Sequence, residues 1–165
     1  MLVKDIYKWT KLYSQLPACD ELFEFSNSWH FDDAKSTYPP FRGSPGVYIY
    51  AKGKTQAEFD NCDLEVLYIG MSEVDVCGRI WSHVGTIYDP ETKQEWLPKF
   101  KKHQWESSSY VSGDIKNTVA NGNMTVFCIR PNSDNLPNLP RALEAALISS
   151  YYLVNKCLPP LNLQF

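Results

Sequence analysis

The chain has 165 residues, 44 % of them apolar, and its 16 lysines and arginines against 19 acidic residues leave a net charge of −3. That length suits one domain, or one domain with a modest extension, and the composition suffices for a packed core. No apolar run approaches a membrane span, and the overall charge is not that of a simple nucleic-acid binder.

Residues 2–16 predict an amphipathic helix. Leu2, Ile6, Trp9, Tyr13 and Leu16 recur at helical spacing, and Pro17 ends the pattern. Asp5, Lys8 and Lys11 interrupt the apolar residues, so this N-terminus reads as amphipathic rather than signal-like. A shorter helix is predicted around 20–25. Residues 26–45 read as loop, with Pro39-Pro40 and the Gly43-Ser44-Pro45-Gly46 break. This helical extension, 1–44, packs on the rest of the chain in the plainest reading. A dimer surface or a grip on substrate are the alternatives.

A first strand is predicted at 46–51, with a turn at Lys52-Gly53-Lys54 and a helical turn near 55–59. A second strand, 65–70, pairs antiparallel with the first. The pairing register decides whether Tyr48 and Tyr68 share a face, and sequence leaves it open. Ser72 or Asp75 caps a helix over 74–87. Val76, Ile80, Val84 and Ile87 form its buried stripe, and Arg79 and His83 lie one turn apart on another face.

A helical piece is predicted over 93–105 and a short helix over 112–121. The third strand, 125–130, is rich in β-branched residues and bounded by Asn121-Gly122-Asn123 and Pro131. After a polar linker comes the clearest helix, 139–156, with Pro140 in its first turn. Leu143, Leu147, Tyr151 and Val154 form its apolar stripe, and Pro159-Pro160 stops it.

Charge is unevenly spread. Residues 1–76 carry 7 basic against 12 acidic side chains, and residues 77–130 carry 7 against 5. Lys93, Lys99, Lys101, Lys102 and His103 bunch together, interleaved with Trp96, Phe100 and Trp105. Such a segment suits phosphate contact and base stacking, which makes Lys99, Lys101 and Lys102 candidates for substrate binding. A solvated helix face is an equally good reading. The five cysteines, Cys19, Cys62, Cys77, Cys128 and Cys157, are scattered, with no Cys-x-x-Cys spacing. They argue against a zinc site and for reduced thiols in a cytoplasmic setting.

Several of these elements carry a pattern. Gly46-Val47-Tyr48, Tyr68-Ile69-Gly70, Arg79, Glu144 within Arg141-Ala142-Leu143-Glu144, and Pro159-Pro160-Leu161-Asn162 follow one another in that order. Together they resemble the GIY-YIG nuclease family, over residues 45 to 163. Five ordered elements are far more specific than either tripeptide alone. The resemblance implies an α+β fold over 45–165, a small three-stranded antiparallel sheet flanked by helices. It also implies a divalent-metal-dependent endonuclease that hydrolyses phosphodiester bonds in DNA.

The site residues follow from the same resemblance. Glu144 would hold Mg²⁺ or Mn²⁺, a hard cation that prefers oxygen ligands. Arg79 would clamp the scissile phosphate. Tyr48 would be the general base, Tyr68 would orient water or phosphate, and Gly70 would support the site. His83 would take the proton from Tyr48 or act as base itself. Asn162 would hold the site in shape or touch substrate. Each residue has a plainer explanation: a surface glutamate, a surface ion pair, a structural histidine or core tyrosines. Only the shared order favours the catalytic set.

Two features depart from the pattern. Met71 stands where many relatives have a lysine, leaving Lys52 or Lys54 to supply that charge. The acidic N-terminal half weakens the case for tight nonspecific DNA binding. Several architectures remain: a free-standing nuclease, of restriction type or equally of phage or mobile-element type, cytoplasmic or nucleoid-associated; a structure-specific nuclease needing a second copy or a partner subunit; and a non-catalytic binding module on the same fold.

Overall fold

The structure is a computed structural model; it describes residues 1–14, 22–31, 38–84, 109, 111–132 and 138–162. The described chain is α+β, with four helices around one antiparallel sheet of five strands. In chain order the elements are α1 (Val3–Ser14), β1 (Phe23–Phe25), β2 (Trp29–His30), β3 (Gly46–Lys52), β4 (Val66–Ser72), α2 (Val76–Val84), α3 (Gly113–Ala120), β5 (Met124–Pro131) and α4 (Leu139–Asn155). One 3-10 turn, Phe59–Asn61, sits in the β3–β4 connection, just beyond the predicted helical turn.

Both faces of β3 and β5 are covered, so both strands are buried almost throughout. That is why Val47, Ile49, Val126 and Ile129 are β-branched, a shape that suits a pleated surface with neighbours on every side. β3 lies between β4 and β5. Its even residues Tyr48 and Tyr50 face one layer, together with Val126 and Cys128 of β5, and α2 and α3 cover them through Val76, Ile80 and Val119. Its odd residues Val47, Ile49 and Ala51 face the other layer, with Phe127 and Ile129. α1 and α4 close that side through Val3, Ile6, Leu143 and Leu147.

The expected three-stranded sheet is corrected to five. β1 and β2 pair successively along the outer edge of β5, Phe23–Phe25 opposite residues 129–131 and Trp29–His30 opposite 125–126. Between them, Ser26 accepts a hydrogen bond at its hydroxyl from the Cys128 N–H at 2.8 Å, and its own N–H donates to the Cys128 carbonyl at 2.9 Å. The stretch expected to be helical near 20–25 therefore contains a strand, and the expected loop 26–45 contains another. The partner strand lies about a hundred positions away, so local periodicity carried no trace of it. The segment before residue 45 is thus not purely helical.

Other elements keep to their predictions within a few residues. α1 begins at Val3 and α4 ends at Asn155, where Lys156 adopts a left-handed φ of 59°. Ser112 caps α3 through the Ile115 N–H. At the start of α2, Ser72 accepts from the Asp75 N–H at 3.1 Å, while the Asp75 carboxylate accepts from the Gly43 N–H at 2.9 Å. Ser72, one of the two residues expected to cap this helix, instead turns the chain ahead of it, and Asp75, the other, ties the helix start to the preceding loop. The predicted piece at 93–105, including Lys99, Lys101 and Lys102, lies outside the described residues.

Candidate active site

Strand pairing brings the tyrosines together. Tyr48 is opposite Gly70, and Tyr50 is opposite Tyr68, so all four residues share one face of the β3–β4 ribbon. The Tyr48 and Tyr68 ring centroids are 5.8 Å apart, and Tyr50 lies 5.4 Å from Tyr68. The absence of a side chain at Gly70 permits this. A Cβ there would stand 2.5 Å from the Tyr68 ring and 2.7 Å from the Tyr48 phenol, well inside contact distance. The glycine is needed for the space it leaves.

α2 crosses the same face and lowers two side chains onto the tyrosines. Arg79 and His83, one turn apart, both meet Tyr48. Arg79 hydrogen-bonds its phenol, and the His83 ring lies edge-on to it at 5.8 Å. Tyr48 also hydrogen-bonds Tyr68. Burial pushes the Tyr48 phenol well above its ordinary value, against the opposing pull of Arg79. Burial likewise raises Tyr68. Both phenols therefore hold their protons at neutral pH. His83 moves the opposite way, down to about 3, because burial and the neighbouring Arg79 charge both disfavour imidazolium.

Sequence reasoning missed Tyr50. It is fully buried, and its hydroxyl lies 2.5 Å from His83 Nδ1. Burial raises its phenol strongly, so it too stays protonated. A protonated phenol facing a neutral imidazole donates to Nδ1, which leaves the ring proton on Nε2. The signal was available in the strand alternation, since Tyr48 and Tyr50 are two apart in β3 and must point the same way.

Glu144 comes from α4, which packs on β4. It is half-buried, and burial raises its carboxyl while Arg141 pulls the other way. Its charge acts on Tyr68, raising that phenol further, so the carboxylate stands within electrostatic reach of the tyrosine cluster. Arg141 meanwhile pairs with Glu73 at 2.8 Å. Among the described residues, no cluster of three metal-ligating side chains occurs.

Asn162 acts on the backbone. Its amide oxygen accepts from the Ile69 N–H at 2.8 Å, and its amide nitrogen donates to the Ile69 carbonyl at 2.6 Å. With the Leu161 N–H donating to the Leu67 carbonyl at 2.9 Å, the C-terminal segment occupies the open edge of β4. Asn162 therefore braces the strand between Tyr68 and Gly70. Lys52 does not reach toward the tyrosines as anticipated; it pairs with Asp114 on α3.

The structure thus gathers Tyr48, Tyr68, Arg79 and His83 in direct contact, adds Tyr50, and couples Glu144 to them through its field. No family model, curated protein or solved structure matches the chain.

Proposed function

We propose that the protein is a divalent-metal-dependent endonuclease that hydrolyses phosphodiester bonds in DNA. The observation that supports this reading is the convergence of two phenols, a guanidinium and an imidazole on the sheet face beneath α2, with the Glu144 charge felt at Tyr68. Phosphodiester hydrolysis needs a held phosphate, an oriented water and balanced charge. Arg79 is an exposed residue, and its planar fork suits a phosphate oxygen pair.

Glu144 fits a single cation site. Burial already disfavours its charge, a cost that a bound cation would relieve, and Mg²⁺ accepts one carboxylate with water and phosphate completing its shell. Bound Mg²⁺ or Mn²⁺ would supply positive charge against the phosphate and the leaving oxygen. The chain's own groups do the rest. Tyr68 and Tyr48 orient the attacking water as hydrogen-bonding phenols. Arg79 opposes the burial of the Tyr48 phenol by its charge and its hydrogen bond, and the same charge acts on Tyr50 and Tyr68. His83 is held neutral with Nδ1 occupied, which makes it a hydrogen-bond donor at Nε2 rather than the first proton acceptor.

One observation favours a second reading, a binding module without catalysis: burial keeps protons on all three tyrosines. One experiment separates the two. Plasmid, branched DNA and RNA are incubated with Mg²⁺ and either wild type or Glu144→Ala. Wild type is expected to cut DNA, and the variant to be inactive with an unchanged circular dichroism spectrum. Equal cleavage by both removes Glu144 from the site, and no cleavage by wild type on any substrate favours the binding module.

A further inference from the structure

A cleft of about 450 Å³ opens between the β1–β2 connection and residues 38–41. Trp29, Tyr38 and Phe41 give it aromatic walls, and Glu24, Asn27 and Ser28 give it polar ones. Tyr38 is 59 % exposed. Its ring stacks on Trp81 at 4.9 Å with a 26° tilt, and the Arg42 guanidinium lies 4.9 Å from its centroid. Trp81 belongs to α2 and falls between Arg79 and His83 in sequence. Tyr38 therefore joins this cleft to the helix that carries the candidate phosphate clamp.

Two further features mark the cleft as built. Phe41 has a positive φ of 61°, a conformation that costs an ordinary side chain about 1–2 kcal/mol and concentrates at ligand sites. It is held there by the Ser44 N–H on its carbonyl at 3.2 Å and by the Arg130 guanidinium 4.7 Å from its ring centroid. Glu24, the one acid among the described residues of the wall, pairs with Arg130 at 2.5 and 2.7 Å. The described residues of the cleft thus present an aromatic platform, an adjacent cation and amide and hydroxyl groups, with Glu24 paired.

Resting on the nuclease reading above, we propose that this cleft binds one unpaired nucleobase of the substrate strand, stacked on Tyr38 with Arg42 beside its phosphate. Every base offers a π-face to an aromatic ring, and guanidinium completes the contact. The volume lies within the range of small-ligand sites and suits one nucleoside, not a duplex. The sequence span that builds the cleft lies before residue 45, giving that segment a task beyond packing.

The test is binding, read apart from cleavage. A single-stranded octanucleotide carrying 2-aminopurine is titrated with wild type, Tyr38→Ala and Tyr38→Phe in a chelator. Wild type and Tyr38→Phe are expected to quench the fluorescent base, and Tyr38→Ala to lose the quench and bind about tenfold more weakly. Tyr38 is surface-exposed, so the variants are expected to keep the wild-type circular dichroism spectrum. Equal affinity and quench in wild type and Tyr38→Ala overturn the proposal, as does no quench with wild type. A Tyr38-dependent quench in a protein that cuts nothing with Mg²⁺ sinks the nuclease reading and leaves the cleft standing.

Discussion

The two faces of the central sheet are built from the same three strands and do opposite things. Beneath α1 and α4 the face is aliphatic and aromatic, with Val47, Ile49, Phe127 and Ile129 fully buried. Beneath α2 the face is also buried, yet it holds Tyr48, Tyr50 and Tyr68, whose hydroxyls need partners. They find them in one another, in Arg79 and in His83. The first face is a source of stability. The second accepts the cost of burying polar groups, and what it gains is a set of side chains with little freedom to move.

Removing a ring from each face tests that division most strongly. Phe127 is fully buried and packs on Phe59 at 4.9 Å. Phe127→Ala is expected to lower stability by about 3–5 kcal/mol, measured by urea unfolding, with cleavage per folded molecule little changed. Arg79→Ala is expected to do the reverse. Arg79 is an exposed residue whose one buried tie is to the Tyr48 phenol, so unfolding is expected to shift by about 1–2 kcal/mol at most, while kcat falls about 10²–10³-fold if it meets charge that develops in the transition state. A variant pair that loses stability and rate in equal proportion would erase the distinction between the faces.

Gly70→Ala sharpens the comparison with a smaller change. The added methyl would press on both motif tyrosines at 2.5–2.7 Å. Overpacking of this kind costs about 1–3 kcal/mol, and here the rings that must yield are those of the candidate site. Cleavage should fall further than stability predicts. Gly113→Ala is the control, since nothing stands within 4 Å of that position. Equal behaviour of the two variants in unfolding would show that the tyrosines have room to shift.

The tyrosine face was more legible in the sequence than its surroundings. Gly46, Tyr48, Tyr68 and Gly70 stand in two strands whose β-branched and aromatic residues announce them, and Arg79 and His83 are one helical turn apart. Register was not legible, because two strands can slip by one residue without changing either sequence. Only the pairing of Tyr48 with Gly70 put the phenols in phase. β1 and β2 were hidden for a related reason. Three residues, Phe23-Glu24-Phe25, alternate too briefly to be told from a helix turn, and their partner is β5, far along the chain. Tyr50 was in plain view but looked like core, since its hydrogen bond goes to a helix whose placement the sequence does not give.

The smallest expected effect concerns His83, where a buried polar group and its cost can be read directly from pH. In the folded protein the imidazole titrates at about 3; in the unfolded chain it titrates near 6.5. The unfolded state therefore binds a proton first, and stability present above pH 6.5 is lost as pH falls toward 3. At pH 5.5 the loss from this one group is about 1 kcal/mol. Arg79, Tyr48 and Tyr50 face the ring, and none of them changes charge in that window. Glu144 works in the opposite sense, because its raised carboxyl takes up a proton earlier when folded. The difference between wild type and His83→Gln, measured by urea unfolding from pH 7 to 5, isolates the histidine. Wild type should lose stability relative to the variant as pH falls. Parallel curves would mean that His83 takes a proton in the fold as readily as in water, and the tyrosine face would then be far wetter than its packing indicates.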